Sequence, residues 1–124
     1  MKTLKIIIWM LAALLVVNGC YYDEIATFEG LPQNVSFKND VQPVFNANCI
    51  TSGCHDAVPG HNPSLVFENS YDAILSGNYV NVTEPNKSLL YLELSSGSMP
   101  PSGALSINDQ KIILAWITEG AKEN

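Results

Sequence analysis

Cys49-Ile50-Thr51-Ser52-Gly53-Cys54-His55 decides how this chain is read. Two thiols stand five positions apart, and an imidazole directly follows the second. Soft sulfur and imidazole nitrogen are the donors that hold transition metals, and a close thiol pair also forms disulfides. The stretch opens a run to Pro63 rich in Gly, Pro, Ser and Asn, which predicts loop throughout. Loops this long without structure of their own usually wrap something or do something.

The elements around the loop follow from apolar spacing. Upstream, Val41, Val44 and Phe45 predict a short helix capped by Asn39 or Asp40, with Pro43 tolerated in its first turn. Downstream, Ser70 to Leu75 predicts a second helix closed by Gly77. Asn86 to Leu94 predicts a third, and Ser95 to Ser102 returns to loop. The last helix is the clearest. Ser106 with Asp109 resembles a capping box, Ile112, Ile113, Trp116 and Ile117 follow at helical spacing, and Gly120 sits at C′. Tyr79 to Val82 is at most a short strand. The expected fold class is all-α, small, with short helices and long loops over residues 39–124. A domain of that size has a thin core that a bound cofactor would reinforce.

The N-terminus has a different character. Lys2 and Lys5 precede an unbroken apolar run from Ile6 to Val17. Its span of about 18 Å is short of the ~30 Å hydrocarbon slab, so it predicts a signal peptide and not a transmembrane helix. The run ends Val17-Asn18-Gly19-Cys20, which resembles the lipobox of bacterial lipoproteins. That resemblance implies a lipoprotein signal peptide over residues 1–19, cleavage before Cys20 and lipidation of its sulfur. Residues 20–38 are then the lipidated Cys and a tether. The protein is expected to be an exported lipoprotein, membrane-anchored on the periplasmic or cell-surface side, in an oxidising compartment. Twelve acidic residues oppose six Lys and no Arg, for a net charge of −6, and from Cys20 onward the balance is −8. Phosphate binding needs clustered cations, so nucleic acid is excluded as a partner class.

A Cys pair closed by Cys-His is the pattern of c-type haem attachment. Two thiols add across the two haem vinyl groups, and the His becomes the proximal iron ligand. The usual form is C-x-x-C-H. Here the spacing is C-x4-C-H, known among multihaem cytochromes, with Ser52-Gly53 able to fold the extra length aside. Met1 and Met10 leave with the signal peptide, so Met99 is the one Met of the mature chain. It lies in Ser98-Met99-Pro100-Pro101, a setting suited to pointing a thioether and not to filling a core.

Three further segments extend the pattern: Val41-Gln42-Pro43-Val44-Phe45, Ser88-Leu89-Leu90-Tyr91, and Ala115-Trp116-Ile117-Thr118-Glu119-Gly120-Ala121. Taken together, Phe37 to Asn124 resembles a class I monohaem cytochrome c domain of the kind found in exported lipoproteins of Bacteroidetes. The resemblance implies a cytochrome c-like fold around one covalent haem c. It implies thioethers at Cys49 and Cys54, with His55 proximal and Met99 distal on the iron. It also implies first and last helices that cross through an aromatic contact, for which Phe45 and Trp116 are the natural pair. Pocket candidates are Val44, Phe45, Leu65, Leu90, Tyr91, Leu94, Pro100, Ile113 and Trp116. The function implied is one-electron transfer to redox partner proteins, without enzymatic chemistry. An acidic carrier expects basic docking surfaces on those partners and salt-dependent rates.

Other readings of the same residues stand beside this one. A Cys49–Cys54 disulfide would make the chain a haem-free lipoprotein with a disulfide-closed cytochrome-like scaffold, acting as a binding or surface module. Zinc wants four ligands, a number that Cys49, Cys54, His55 and His61 supply, although three of them crowd into seven residues. His61 is also a rival to Met99 as distal ligand, on a tether of only six residues from His55. A five-coordinate haem would make a sensor or gas-binding site. Asp56, Glu68 and Glu84 read as solvated charges. No nucleophile–base pair, phosphate loop or paired acids is found.

Overall fold

The computed structural model describes residues 29–51, 53–56 and 62–124. Cys20, the apolar N-terminal run, Ser52 and His61 lie outside them. A π-helical turn, Phe37–Val41, runs into α1 (Gln42–Asn48). Then follow α2 (Phe67–Ser76), a 3-10 turn (Pro85–Lys87), α3 (Leu89–Ser96) and α4 (Ile107–Thr118). Among the described residues there is no strand, so the fold is helical, as the sequence predicts. Tyr79 to Val82 forms no strand: Tyr79 O accepts from Leu90 N (2.9 Å), and Asn81 N donates to Ser88 Oγ (2.8 Å).

The helix ends follow local chemistry. The first helical segment is capped by Ser36, not by Asn39 or Asp40. Ser36 Oγ accepts from Asn39 N (3.1 Å), while Asp40 Oδ2 accepts from Ser36 N (2.8 Å), a reciprocal cap that uses both neighbours. The expected third helix splits, because Ser88 at ψ 129° breaks the path between Pro85–Lys87 and α3. α3 then continues to Ser96, into the expected loop, and stops at Gly97 with φ +80°. α2 begins earlier than expected, at Phe67, and is closed by Gly77. In α4, Ser106 Oγ accepts from Asp109 N (3.1 Å) and donates to Asp109 Oδ2 (2.8 Å). The aspartate meets the cap hydroxyl there, as a side chain shorter than Glu.

The core gathers the apolar faces of all four helices. Phe45, Ile74, Ile113, Leu114 and Ile117 are fully buried. Phe37 is the aromatic hub between the first and last helical segments. Its ring centroid lies 5.2 Å from Trp116, 5.2 Å from Tyr71 and 6.3 Å from Phe45. Among the described residues the ring partners of Trp116 are thus Phe37 and Tyr71, and the expected Phe45–Trp116 pairing is bridged by Phe37. Such ring pairs contribute about 0.5–1.5 kcal/mol each beyond the area they bury.

The packed region reaches upstream of Asn39. Val35 and Phe37 are buried. Glu119 takes the amides of Asn34 and Val35 (2.7 and 2.9 Å), and Asn124 accepts from Phe37 N through Oδ1 (2.8 Å) and from Lys38 N through its backbone oxygen (3.0 Å). The segment leading into the first helix is thereby fastened to the end of the last. No helix of the described residues is long and apolar enough to cross a membrane.

Candidate functional site

A cavity of about 780 Å³ opens between the end of α1, the Cys-containing loop, α3 and the loop after α3. Cys49, Cys54, His55 and Met99 all line it. Its apolar lining includes Leu65, Leu89, Leu90, Leu94, Pro100 and Pro101.

Backbone hydrogen bonds fold the five-position spacing of the thiols into a turn. Cys49 is the C-cap of α1, its N–H held by Phe45 O (2.8 Å). Cys54 N donates to Thr51 O (2.9 Å) and His55 N to Cys49 O (3.2 Å). Gly53 at φ +83° provides the left-handed step that closes the turn, and its N–H donates to Asp56 Oδ2 (3.2 Å). Thr51 Oγ1 donates to Cys54 Sγ (3.3 Å). Both sulfurs are free thiols. Burial, and secondarily a charge on Cys54, push the Cys49 thiol up to about 11.

The imidazole of His55 is fixed by its own neighbours. Nδ1 lies 2.8 Å from Pro63 O. A carbonyl only accepts, so this bond places a proton on Nδ1, and in the neutral ring the lone pair is then on Nε2. Met99 enters from the loop after α3. Gly97 turns the chain out of the helix, Met99 N donates to Glu93 O (3.0 Å), and Leu105 N returns to Leu94 O (3.2 Å). The Met99 side chain is 41% exposed, at the edge of the cavity and outside the core.

Of the pocket residues expected from sequence, Leu65, Leu90, Leu94 and Pro100 line the cavity. Val44, Phe45, Tyr91, Ile113 and Trp116 are buried in the helical core instead. Trp116 is committed to Phe37 and Tyr71, and its indole Nε1 donates to Lys122 O (2.9 Å). Sequence reasoning missed Asn48, Tyr79, Leu89 and Glu93, which line the cavity. Helical phase would have found two of them, because Leu89, Leu90, Glu93 and Leu94 share one face of α3. Among the described residues no three His, Cys, Asp or Glu side chains are grouped to hold a metal ion, and His61 lies outside them.

Compared with protein-family models, with curated proteins and with solved structures, the chain matches none.

Proposed function

We propose that this cavity is the site of one covalently held haem c and that the chain is a membrane-tethered one-electron carrier. The observation that carries the reading is convergence. Two thiols, an imidazole held through Nδ1 and a thioether that lies 44 residues after it in sequence line one apolar cavity. A volume of about 780 Å³ falls within the ~300–1,000 Å³ usual for cofactor pockets.

When bound, the haem supplies an iron centre that accepts and releases one electron. The protein's residues do the rest. Cys49 and Cys54 fasten the group to the α1 end of the cavity. His55 offers Nε2 to the metal, with its ring held by Pro63 O (2.8 Å). Met99 offers the second ligand, and a thioether in that place raises the potential relative to a second imidazole. Leu65, Leu90 and Leu94 exclude water, which disfavours the more highly charged oxidised state. No reacting substrate is required. A lipid at Cys20 would keep the domain at a membrane, and its acidic charge would steer basic partners.

Production in a host with a c-type maturation system tests this. The mature chain is expected to be red and, after denaturation, to keep the mass of one haem. A colourless protein of polypeptide mass, with Cys49 and Cys54 joined as a disulfide, would overturn the reading in favour of a haem-free module.

A further inference from the structure

We propose that Gln42, which does not itself line the cavity, is a positioning residue that holds the His55 imidazole through the segment Pro63–Leu65; the inference rests on the haem reading above.

That segment meets His55 at two points. Pro63 O accepts from the imidazole Nδ1 (2.8 Å), and Leu65 N donates to His55 O (2.9 Å). Ser64, between them, has a buried hydroxyl with no partner among the described residues, so none of those fixes the segment through its side chain. The third anchor comes from α1. Gln42 Nε2 donates to Leu65 O (2.9 Å) and to Asn46 Oδ1 (2.9 Å), while Gln42 Oε1 accepts from Ser70 Oγ on α2 (2.6 Å). Gln42 is 3% exposed and Ser70 0%. Burying a carboxamide is unfavourable unless its polar atoms are bonded, and here both ends are. The amide orientation is settled by chemistry, because Leu65 O can only accept.

An apolar side chain would fill the same volume. What the carboxamide adds is direction: it fixes how far Leu65, and Pro63 two residues before it, can move from His55. The Nδ1–H···O=C bond governs electron density at Nε2, and outer hydrogen bonds of this kind tune the ligand's basicity. A firm bond favours the oxidised metal and lowers the potential, and a loosened one raises it.

The test compares wild type with Gln42→Leu, Ser70→Ala and Ile117→Val. In haem-loaded protein, Gln42→Leu is expected to raise the reduced-to-oxidised ratio at fixed ambient potential roughly three- to tenfold, where tenfold is about 59 mV for one electron. Ser70→Ala, which keeps both Gln42 donors, is expected to shift it less and in the same direction. Ile117→Val, in the core away from the site, should lower the melting temperature and leave the ratio unchanged. In the chain without haem, ¹⁵N imidazole spectra should show His55 as the Nδ1–H tautomer in wild type and as a tautomer mixture in Gln42→Leu. An unchanged ratio and an unchanged tautomer in Gln42→Leu would overturn the proposal. If that variant does not fold, the same two readings in Ser70→Ala decide it. If wild type takes up no haem, the haem reading fails and the tautomer measurement alone judges Gln42.

Discussion

Gly77 leaves the space that the ring of Tyr79 occupies. A Cβ at position 77 would stand 2.6 Å from Tyr79 Cδ2 and 2.9 Å from Ala73 O. The glycine's φ of −78° is open to any residue, so close approach and not backbone freedom sets the requirement. Tyr79 lines the cavity, which links the end of α2 to the site. Gly77→Ala is expected to cost about 1–3 kcal/mol through displacement of that ring. The melting temperature should fall by roughly 4–8 °C per kcal/mol. In Tyr79→Ala the clash with the ring is gone, so the same change at 77 should cost about 1 kcal/mol less in a double-mutant cycle. Strict additivity of the two substitutions would refute the contact.

Gly97 is required for a different reason. Its φ of +80° is left-handed, and a Cβ there would lie 3.0 Å from Ala104 N, a backbone atom with little room to retreat. Gly53 has a similar φ of +83°, but among the described residues no atom lies within 4 Å of a Cβ there. Gly53→Ala should therefore carry only the conformational cost, about 1–2 kcal/mol. Gly97→Ala carries that cost plus the contact, and should lose about 1 kcal/mol more. Urea titrations of both variants read the difference, and the reverse order would mean that the turn leading to Met99 is not held against Ala104.

Much of this was legible in the sequence, for identifiable reasons. The α4 helix carries its own start, period and stop in Ser106, Ile113 to Ile117 and Gly120, all local signals. The same holds for Gly77 as the end of α2. Cys49, Cys54, His55 and Met99, singled out by residue type and setting, line one cavity. What stayed hidden depends on tertiary contact. Phe37 opens the stretch that carries the resemblance, but no local signal shows that it packs against Trp116 in place of Phe45. Glu93 drew no reading from sequence, and only the turn of α3 places it in the cavity lining. Gln42 was visible as part of a motif, but its partners Leu65 and Ser70 lie 23 and 28 positions away.

The Cys49 thiol offers a test in the chain without haem. Burial, with a smaller contribution from Cys54, raises it from 9.0 to about 11. At pH 8 its thiolate should be about a hundredfold scarcer than for an unshifted thiol, and its alkylation should keep accelerating up to pH 11. The sign for stability follows from linkage. The folded state keeps a proton that the unfolded state releases, so the stabilisation is complete below pH 9 and is lost as pH rises from 9 to 11. Tyr91, also pushed up by burial, acts in the same sense. Comparison with Cys49→Ala isolates the thiol: that variant should show a shallower loss of stability over this window in pH-dependent urea melts. Equal slopes would mean that Cys49 titrates as an exposed thiol.

On the proposed haem reading, substitution of Met99 separates ligation from folding, because its side chain is 41% exposed and contributes little to the core. Met99→Ala should therefore leave the stability of the haem-free chain within about 0.5 kcal/mol of wild type, as surface substitutions do. In haem-loaded protein the same change removes the thioether. A low-spin spectrum should become high-spin, and the potential should fall. Met99→His should restore the low-spin spectrum while the potential stays below wild type, because imidazole favours the oxidised metal more than a thioether does. Absorption spectra and redox titrations of the three proteins read both effects. A low-spin spectrum that survives in Met99→Ala would show that another side chain, His61 first among the candidates, holds the distal position.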